Sequence, residues 1–449
     1  MIHMLVPDVE CSGFCPDAGT ANDCPILYSG EVARPTLVRG ARQLLTLQGS
    51  NRPRRGAELN DLGVIVDGAV LIVDGIIREV GPTRRLENLA IARQAVEIDA
   101  AGRVVLPGFV DSHTHLVGGP ARLPRTDDAA SLGYDRLLGG DVNTIGDLSA
   151  RALEASAIRI LKDCLRQGTT TLEAKSGHGY DEAGELRILK VHSVLEKGPV
   201  SVVSTFMGAR FLPRAEIPLR AEYVNWLCDH MLPLVARRRL AEFVDIQCEE
   251  GAFSLDQARR VLLAARNLGF GLKMHAGQFW DMGAVGLGVE MGVTSLDHLI
   301  YLHETDMERL ADSDTIATLL PGGAFYLGYQ RYAPARALID RGVAVALATN
   351  YNVDTSPSQS MQTMIGLACR RLQMGVAEAI SAATINGAHA LRRGDQIGSL
   401  EIGKDANLLI LGVSDYREIV QNFGINLVEM TMKEGRVVHR QPDVEWPAA

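Results

Sequence analysis

The sequence predicts an α/β fold, a (β/α)8 TIM barrel joined to a small β-sandwich domain built from the two ends of the chain. Between positions 104 and 390, short apolar strands alternate with helical patterns, as in parallel βα units. On both sides of this region, alternating apolar strands are broken by Gly and Asp, as in β-hairpins. We therefore predict an irregular extension over 1–35, a β-sandwich from 36–103 and 391–449, and a barrel over 104–390.

Eight apolar runs in the middle of the chain have the length of β-strands, and each is followed by a helical pattern. They span 104–110, 169–174, 200–207, 243–248, 271–274, 293–296, 315–320 and 343–348. Eight consecutive βα units predict a closed barrel, whose functional residues lie where the strands end and the loops begin.

The flanking regions predict a second, smaller sheet. Residues 63–75 form an apolar hairpin pattern, and strand-like runs return at 407–411 and 429–438, the second with a Gly turn. The two ends of the chain can therefore pair in one small sheet, with the barrel inserted between them.

The composition excludes some classes of function. The chain has 449 residues, 47% hydrophobic, and a formal charge of -9. This acidic balance argues against a nucleic-acid binder or a protein of anionic membranes. No apolar run approaches the roughly 20 residues that cross a bilayer, and the first residues lack a signal pattern. We expect a cytoplasmic protein.

The seven cysteines fall into two groups. Four lie singly inside apolar patterns, where a thiol behaves as a small buried hydrophobe; they are Cys164, Cys228, Cys248 and Cys369. Cys11, Cys15 and Cys24 lie close to His3. These three thiols could hold a structural zinc ion, although their spacing matches no strong zinc pattern, or they could belong to an irregular extension without a special role.

Four histidines and one asparagine lie at the ends of predicted strands. His113 and His115 follow the first strand, His275 the fifth, His298 the sixth and Asn350 the eighth. Because strand ends converge at one mouth of a barrel, these side chains should meet. Clustered neutral imidazoles with one open coordination position are typical of hydrolytic metal sites, where the metal makes a water acidic.

Several short segments resemble the amidohydrolase superfamily and, within it, the imidazolonepropionase branch. They are PGFVDSHTHL at 107–116, EAKSG at 173–177, CEEGAF at 248–253, KMHAGQ at 273–278, LDHL at 296–299, LLPG at 319–322 and ALAT at 346–349. The resemblance covers roughly residues 37–439. It implies hydrolysis of a carbon–nitrogen bond by water that one divalent metal ion activates.

The resemblance also assigns roles to the clustered residues. His113, His115 and His275 would bind the metal, and His298 would lie beside the water and the substrate. Position 350 would be an aspartate that binds the metal and moves the proton, and this chain has Asn350 there. Zinc is the favoured ion, with iron or manganese as alternatives.

Asn350 is the main departure from the family pattern. Its amide oxygen can bind a metal, but it has no charge and cannot take a proton from the attacking water. Three interpretations stay open: a natural variant with another base, an introduced inactivating change, or a protein that only binds its ligand. The candidates for a replacement base are His298, Asp354, and either Glu249 or Glu250.

The resemblance also predicts substrate contacts that this chain keeps. Arg122, seven residues after His115, matches the arginine that binds the ring or the propionate, and Asn352 matches a binding asparagine. Gln278 fits the pattern as a further substrate contact. At these positions the chain keeps the family pattern.

Two other substrate positions are changed. His178 replaces the expected tyrosine after Lys-Ser-Gly, although Tyr180 lies nearby, and Arg210 replaces a histidine after Gly-Ala. Arg210 adds a fixed cation that can bind a carboxylate through two parallel hydrogen bonds. The pattern therefore predicts an altered substrate pocket.

The leading hypothesis is a metal-dependent amidohydrolase that opens a cyclic amide or amidine in an altered pocket. One alternative is a tailoring enzyme that trims a ribosomal peptide containing a thiazoline-type heterocycle. Another is a catalytically impaired form that only binds ligand. The expected partners are a small-molecule or modified-peptide substrate and a second copy in a homodimer.

Overall fold

The computed structural model describes residues 34–119, 145–210, 212 and 219–442. The strands of these residues are β1 (Thr36–Leu45), β2 (Val64–Val73), β3 (Ile76–Pro82), β4 (Val96–Asp99), β5 (Val104–Pro107), β6 (Phe109–Asp111), β7 (Thr169–Lys175), β8 (Ser201–Ala209), β9 (Phe243–Cys248), β10 (Gly271–Ala276), β11 (Ser295–His298), β12 (Ile316–Leu319), β13 (Val345–Leu347), β14 (Leu408–Leu411), β15 (Val428–Lys433) and β16 (Arg436–Arg440). The α-helices are Thr83–Leu86, Ala150–Arg166, Glu182–Leu195, Arg220–Trp226, Leu232–Arg238, Leu255–Asn267, Ala284–Glu290, Glu304–Ala311, Pro321–Tyr326, Ala335–Asp340, Met361–Arg371, Val376–Ala382, Ile385–Ala390 and Glu418–Gln421.

The predicted barrel is confirmed. Strands β6 to β13 form one parallel sheet in chain order. Beyond the last and first strands, Thr114 and Tyr351 form a parallel bridge, and the N–H of His115 donates to the Tyr351 carbonyl at 2.8 Å. These contacts join the two edges of the sheet just beyond their strands.

The first predicted strand, 104–110, was wrong as a single element. Its first half, β5, pairs with β1 and β14 in the small sheet, and its second half, β6, pairs with β7 in the barrel. The chain changes sheets at Gly108, where an added Cβ would lie 2.4 Å from Thr170 Oγ1. A continuous apolar run could not reveal this change, because both halves are buried and apolar.

The two ends of the chain form a separate, mostly antiparallel sheet, as predicted. Its order is β16-β15-β14-β5-β1-β2-β3, with β4 paired to β1. Asp74 and Gly75, with φ values of 53° and 80°, form the turn between β2 and β3, since such a turn needs positive φ at both positions. Alternate residues of β5 serve two cores: Val104 and Leu106 join the main cluster, and Val105 joins the cluster of the small sheet.

The barrel helices cover the strands with one apolar face each. In Ala150–Arg166 the buried residues are Leu153, Ala157, Leu161, Cys164 and Leu165, the spacing of a single helix face. Ser149 caps this helix by accepting the N–H of Ala152. Within the described part of the chain, no helix combines the length and the apolar character that crossing a membrane requires. The four cysteines predicted as isolated thiols are free.

Candidate active site

The five predicted metal-site residues meet at the carboxyl ends of the barrel strands. His113 and His115 follow β6, and His275 lies in β10. His298 ends β11 and Asn350 follows β13. All are buried, and none is more than 5% exposed. The rings of His113, His275 and His298 have centroids 4.6–5.5 Å apart, and His115 lies 5.4 Å from His113.

Two of these residues have left-handed backbone conformations. The φ angle is 54° at Asn350 and 85° at His298, and asparagine tolerates this region better than most residues. The N–H of Asn350 donates to the His113 carbonyl at 3.1 Å. A Cβ at Gly323 would lie 2.9 Å from Asn350 Nδ2. A glycine at 323 therefore leaves the room that the Asn350 amide occupies.

Two histidines are oriented by buried carboxylates. His113 Nδ1 lies 2.7 Å from Asp297 Oδ2, and His275 Nδ1 lies 3.1 Å from Asp245 Oδ2. With its Nδ1 taken, His113 has a buried Nε2 that finds no hydrogen-bond partner among the described residues, and the same is true of the buried Nδ1 of His115. An imidazole fixed by a carboxylate on one nitrogen, with the other nitrogen free, is the usual arrangement of a metal ligand. This arrangement fits a metal ion.

A buried ionic network lies beneath the imidazoles. Lys175 Nζ contacts Asp245 at 2.5 Å, Glu173 at 3.0 Å and Asp297 at 3.2 Å, and Lys273 contacts Glu173 at 2.9 Å. Two ammonium groups thus face three carboxylates, which leaves one formal negative charge below the site. Sequence reasoning missed the roles of Asp245, Asp297 and Lys273.

The environment keeps three of the imidazoles neutral. Burial and nearby Lys175 lower the pKa of His113 to about 3. Burial also holds the pKa values of His115 and His298 well below their usual range. Although burial alone would raise it, Lys175 and His113 keep the pKa of Asp297 well below its usual range. Neutral imidazoles are the form that binds a metal.

The imidazoles open onto a cleft. Its lining contains His115, His275, His298 and Asn350 with Arg210, Gln247, Gln278, Phe279, Asn352 and Thr355. Gln247 donates to Gln278 Oε1 at 3.1 Å, and Asn352 Oδ1 accepts the N–H of Asp354 at 2.9 Å. The structure thus brings Gln278 and Asn352 to the cleft as expected. Sequence reasoning missed Gln247, Phe279 and Thr355.

The two altered positions lie side by side. Arg210 Nη1 is 3.2 Å from both ring nitrogens of His178, and His178 lies 5.6 Å from His115 between ring centroids. Arg210 lines the cleft, with His178 buried behind it. Tyr180 has a φ of 62° and is partly buried. Arg122 falls outside the described residues, as do Cys11, Cys15 and Cys24.

The candidate bases occupy different environments. Glu249 is 1% exposed, and its carboxylate accepts the N–H groups of Gln278 at 2.5 Å and Trp280 at 3.3 Å. Burial raises the pKa of Glu249 to about 7. Glu250 is exposed and Asp354 is partly exposed. Of the four candidate bases, His298 is the one in the described lining of the cleft.

The geometry agrees with comparisons to known proteins. The amidohydrolase family pattern matches residues 104–438. An imidazolonepropionase of Geobacillus kaustophilus is 42% identical over 416 residues, covering 90% of this chain and 98% of the relative. An imidazolonepropionase of Parabacteroides distasonis is 40% identical over 409 residues, covering 89% and 98%.

A solved structure supports the fold. A triazine hydrolase of Arthobacter aurescens superposes with a TM-score of 0.71 at 18% identity, covering 91% of this chain and 95% of the other. At this identity the similarity supports the barrel and its companion sheet but gives no activity. The sequence relatives carry the assignment, because they match along nearly their whole length. The chain therefore belongs to the amidohydrolase family, in its imidazolonepropionase-like branch, and is a metal-dependent hydrolase of carbon–nitrogen bonds.

Proposed function

We propose that this protein opens a cyclic amide or amidine in a small acidic substrate. One divalent metal would be held by His113, His115, His275 and the amide oxygen of Asn350. The observation that carries the proposal is His113, whose Nδ1 is fixed 2.7 Å from Asp297 while its buried Nε2 has no partner in the part of the chain that the structure describes. Such a nitrogen is costly to bury unless something binds it.

The donor set favours zinc, with iron or manganese as alternatives, because imidazole nitrogens suit all three. When bound, the metal lowers the pKa of water and polarises the bond under attack. The neutral histidines do not compensate the positive charge of a metal ion. The formal negative charge of the network around Lys175 offsets part of it. The site thus fits a cation in charge as well as in ligand type.

The proton transfer must differ from the family pattern, because Asn350 cannot accept a proton. His298 is the candidate base that lies in the cleft, and its ring centroid is 5.0 Å from that of His275. We assign to His298 the relay of the proton and the stabilisation of the developing oxyanion. Arg210 and Asn352 would orient the substrate, together with Arg122.

The names of the relatives favour a ring substrate over a modified peptide. Both relatives are called imidazolonepropionase. The pair of His178 and Arg210 supports a pocket that differs from theirs, since it places a fixed cation next to the reaction site. We therefore propose an acidic cyclic amide or amidine related to imidazolonepropionate.

The test is metal content together with turnover of imidazolonepropionate and related rings. We expect about one transition metal per chain and measurable turnover that His298→Gln abolishes while the metal stays bound. Asn350→Asp, assayed in parallel, should be faster. Metal without turnover in either form would instead support a ligand-binding protein, and absence of metal in both would refute the proposal.

A further inference from the structure

Arg210 is a buried cation in the cleft. Its residue is 8% exposed, and it lines the cleft directly after β8. Within the described ranges, its guanidinium forms no ion pair with a carboxylate; it contacts the two ring nitrogens of His178 and interacts with the side chain of Tyr180. Other buried cations of the described residues contact carboxylate or carbonyl oxygens, as Arg54, Lys175, Lys273 and Lys433 do. Arg210 therefore keeps capacity for an external anion.

The backbone holds Arg210 in this position. Gly177 has a φ of 97°, and an added Cβ there would lie 2.5 Å from the Met207 carbonyl oxygen and 3.2 Å from Arg210 Cβ. The glycine lets the loop after β7 approach the end of β8 closely. This packing places His178 behind the guanidinium and leaves the ring of His178 5.6 Å from His115. The free capacity of Arg210 thus lies next to the proposed metal ligands.

The charges of the cleft also favour the binding of an anion. Its described lining contains Arg210 and no carboxylate, because position 350 is an amide. An aspartate at 350 would make this lining formally neutral, whereas Asn350 leaves one fixed positive charge. A divalent ion would add two more. A substrate with a single acid group would leave part of this positive charge uncompensated.

We propose that the cleft selects a cyclic substrate with a second carboxylate on or next to its ring, and that Arg210, supported by His178, binds this carboxylate. The inference rests on the proposed function, since it names the substrate class of the same site. The planar guanidinium matches a carboxylate through two parallel hydrogen bonds, which sets the orientation of the ring beside His115. The second acid also supplies negative charge that Asn350 does not.

The test compares two inert rings that differ by one carboxylate, imidazole-4-carboxylate and imidazole-4,5-dicarboxylate. Their dissociation constants are measured by calorimetry on the protein as purified and on Arg210→Gln, Arg210→Lys and Arg159→Gln. Arg159 is exposed, so its variant makes the same charge change away from the cleft. Each variant is judged by its ratio of the two constants; any part of that ratio that comes from chelation of the metal is shared by the variants and cancels when their ratios are compared.

The unmodified protein and Arg159→Gln should prefer the dicarboxylate by about tenfold or more. Arg210→Gln should lose this preference, and Arg210→Lys should retain part of it. An unchanged ratio in Arg210→Gln would overturn the proposal. If that variant does not fold, no preference in the unmodified protein, or a full preference in Arg210→Lys, would overturn the bidentate assignment. Inorganic phosphate, tested in parallel, would overturn the choice of carboxylate if it bound more tightly through Arg210.

These results are separable from the proposed function. Metal binding and ring opening without any preference for the second acid would overturn this inference alone. An Arg210-dependent preference in a protein without metal or turnover would overturn the proposed function alone.

Discussion

Exchanging Asn350 for aspartate tests the proposed site most directly. The two side chains have the same shape, and both tolerate the left-handed backbone of position 350, where φ is 54°. Gly323 already leaves room for the terminal atoms. Asn350→Asp therefore changes charge and proton affinity with little change in packing.

The magnitude follows from electrostatics. For an ion held by His113, His115 and His275, we take about 4 Å as a conservative separation between the ion and the charge of a carboxylate at 350. At an effective dielectric constant of about 20, that separation gives about 8 kcal/mol of attraction for a divalent ion. Burying the carboxylate costs several kcal/mol. The remaining few kcal/mol predict metal binding at least about tenfold tighter.

The assay is competition for the metal against chelators of graded strength, with metal content read by elemental mass spectrometry. Turnover should also rise, by about 100-fold or more, because a positioned base returns. Asn352→Asp is the matched control: it adds the same charge to the same cleft, but its side chain accepts the N–H of Asp354. Equal tightening in both variants would refute ligation by residue 350, as would no tightening in Asn350→Asp.

Three further predictions concern the groups beneath and beside the site. Asp297→Asn should weaken metal binding by about 10- to 100-fold, because His113 loses the carboxylate that orients it. Lys175→Met should lower the free energy of unfolding by about 3–5 kcal/mol in urea denaturation, because it leaves buried Asp245 and Asp297 without an ammonium contact. The pKa of Glu249 is about 7 in the fold against 4.5 for a free side chain, so the folded state favours the protonated carboxyl. The resulting contribution to the free energy of unfolding is complete below about pH 4.5 and is lost as pH rises through about 7. That loss is about 3 kcal/mol, and Glu249→Gln should remove it from the pH profile of unfolding.

Surface variants with the same chemical change serve as controls. Asp312→Asn should leave metal affinity unchanged, and Lys190→Met should leave stability within about 0.5 kcal/mol, since both residues are exposed. Glu250→Gln, next to Glu249 but exposed, should not alter the pH profile. If a surface variant had the same effect as the matching buried variant, the predicted change in metal affinity or stability would not come from the buried contacts.

Periodicity was sufficient to predict the barrel, because each of its strands is a short apolar run before a helix. It failed at 104–110, where one apolar run serves two sheets. The pattern of burial is the same on both sides of Gly108, and the change depends on the close approach of Thr170. Such an approach is a property of the packed chain, and no local pattern encodes it.

The sequence likewise predicted the residues at the strand ends of the site but not the charged residues buried beneath them. The ends of the strands marked His113, His275 and Asn350, since polar residues after apolar runs stand out in a sequence. Asp245 gave no such signal, because it lies inside β9 and is fully buried. Its partner Lys175 is also fully buried, and only the pairing of distant strands shows that the two charges compensate each other.

The sequence by itself determined the fold class, the family and the identities of the clustered histidines, because these depend on short-range patterns and on motifs. It also showed the loss of the carboxylate at Asn350. Only the tertiary structure decided which imidazole nitrogens stay free, how the buried charges pair, and that Arg210 faces the cleft without a carboxylate partner among the described residues. These properties depend on distances between residues far apart in the chain, which the packing of the barrel sets.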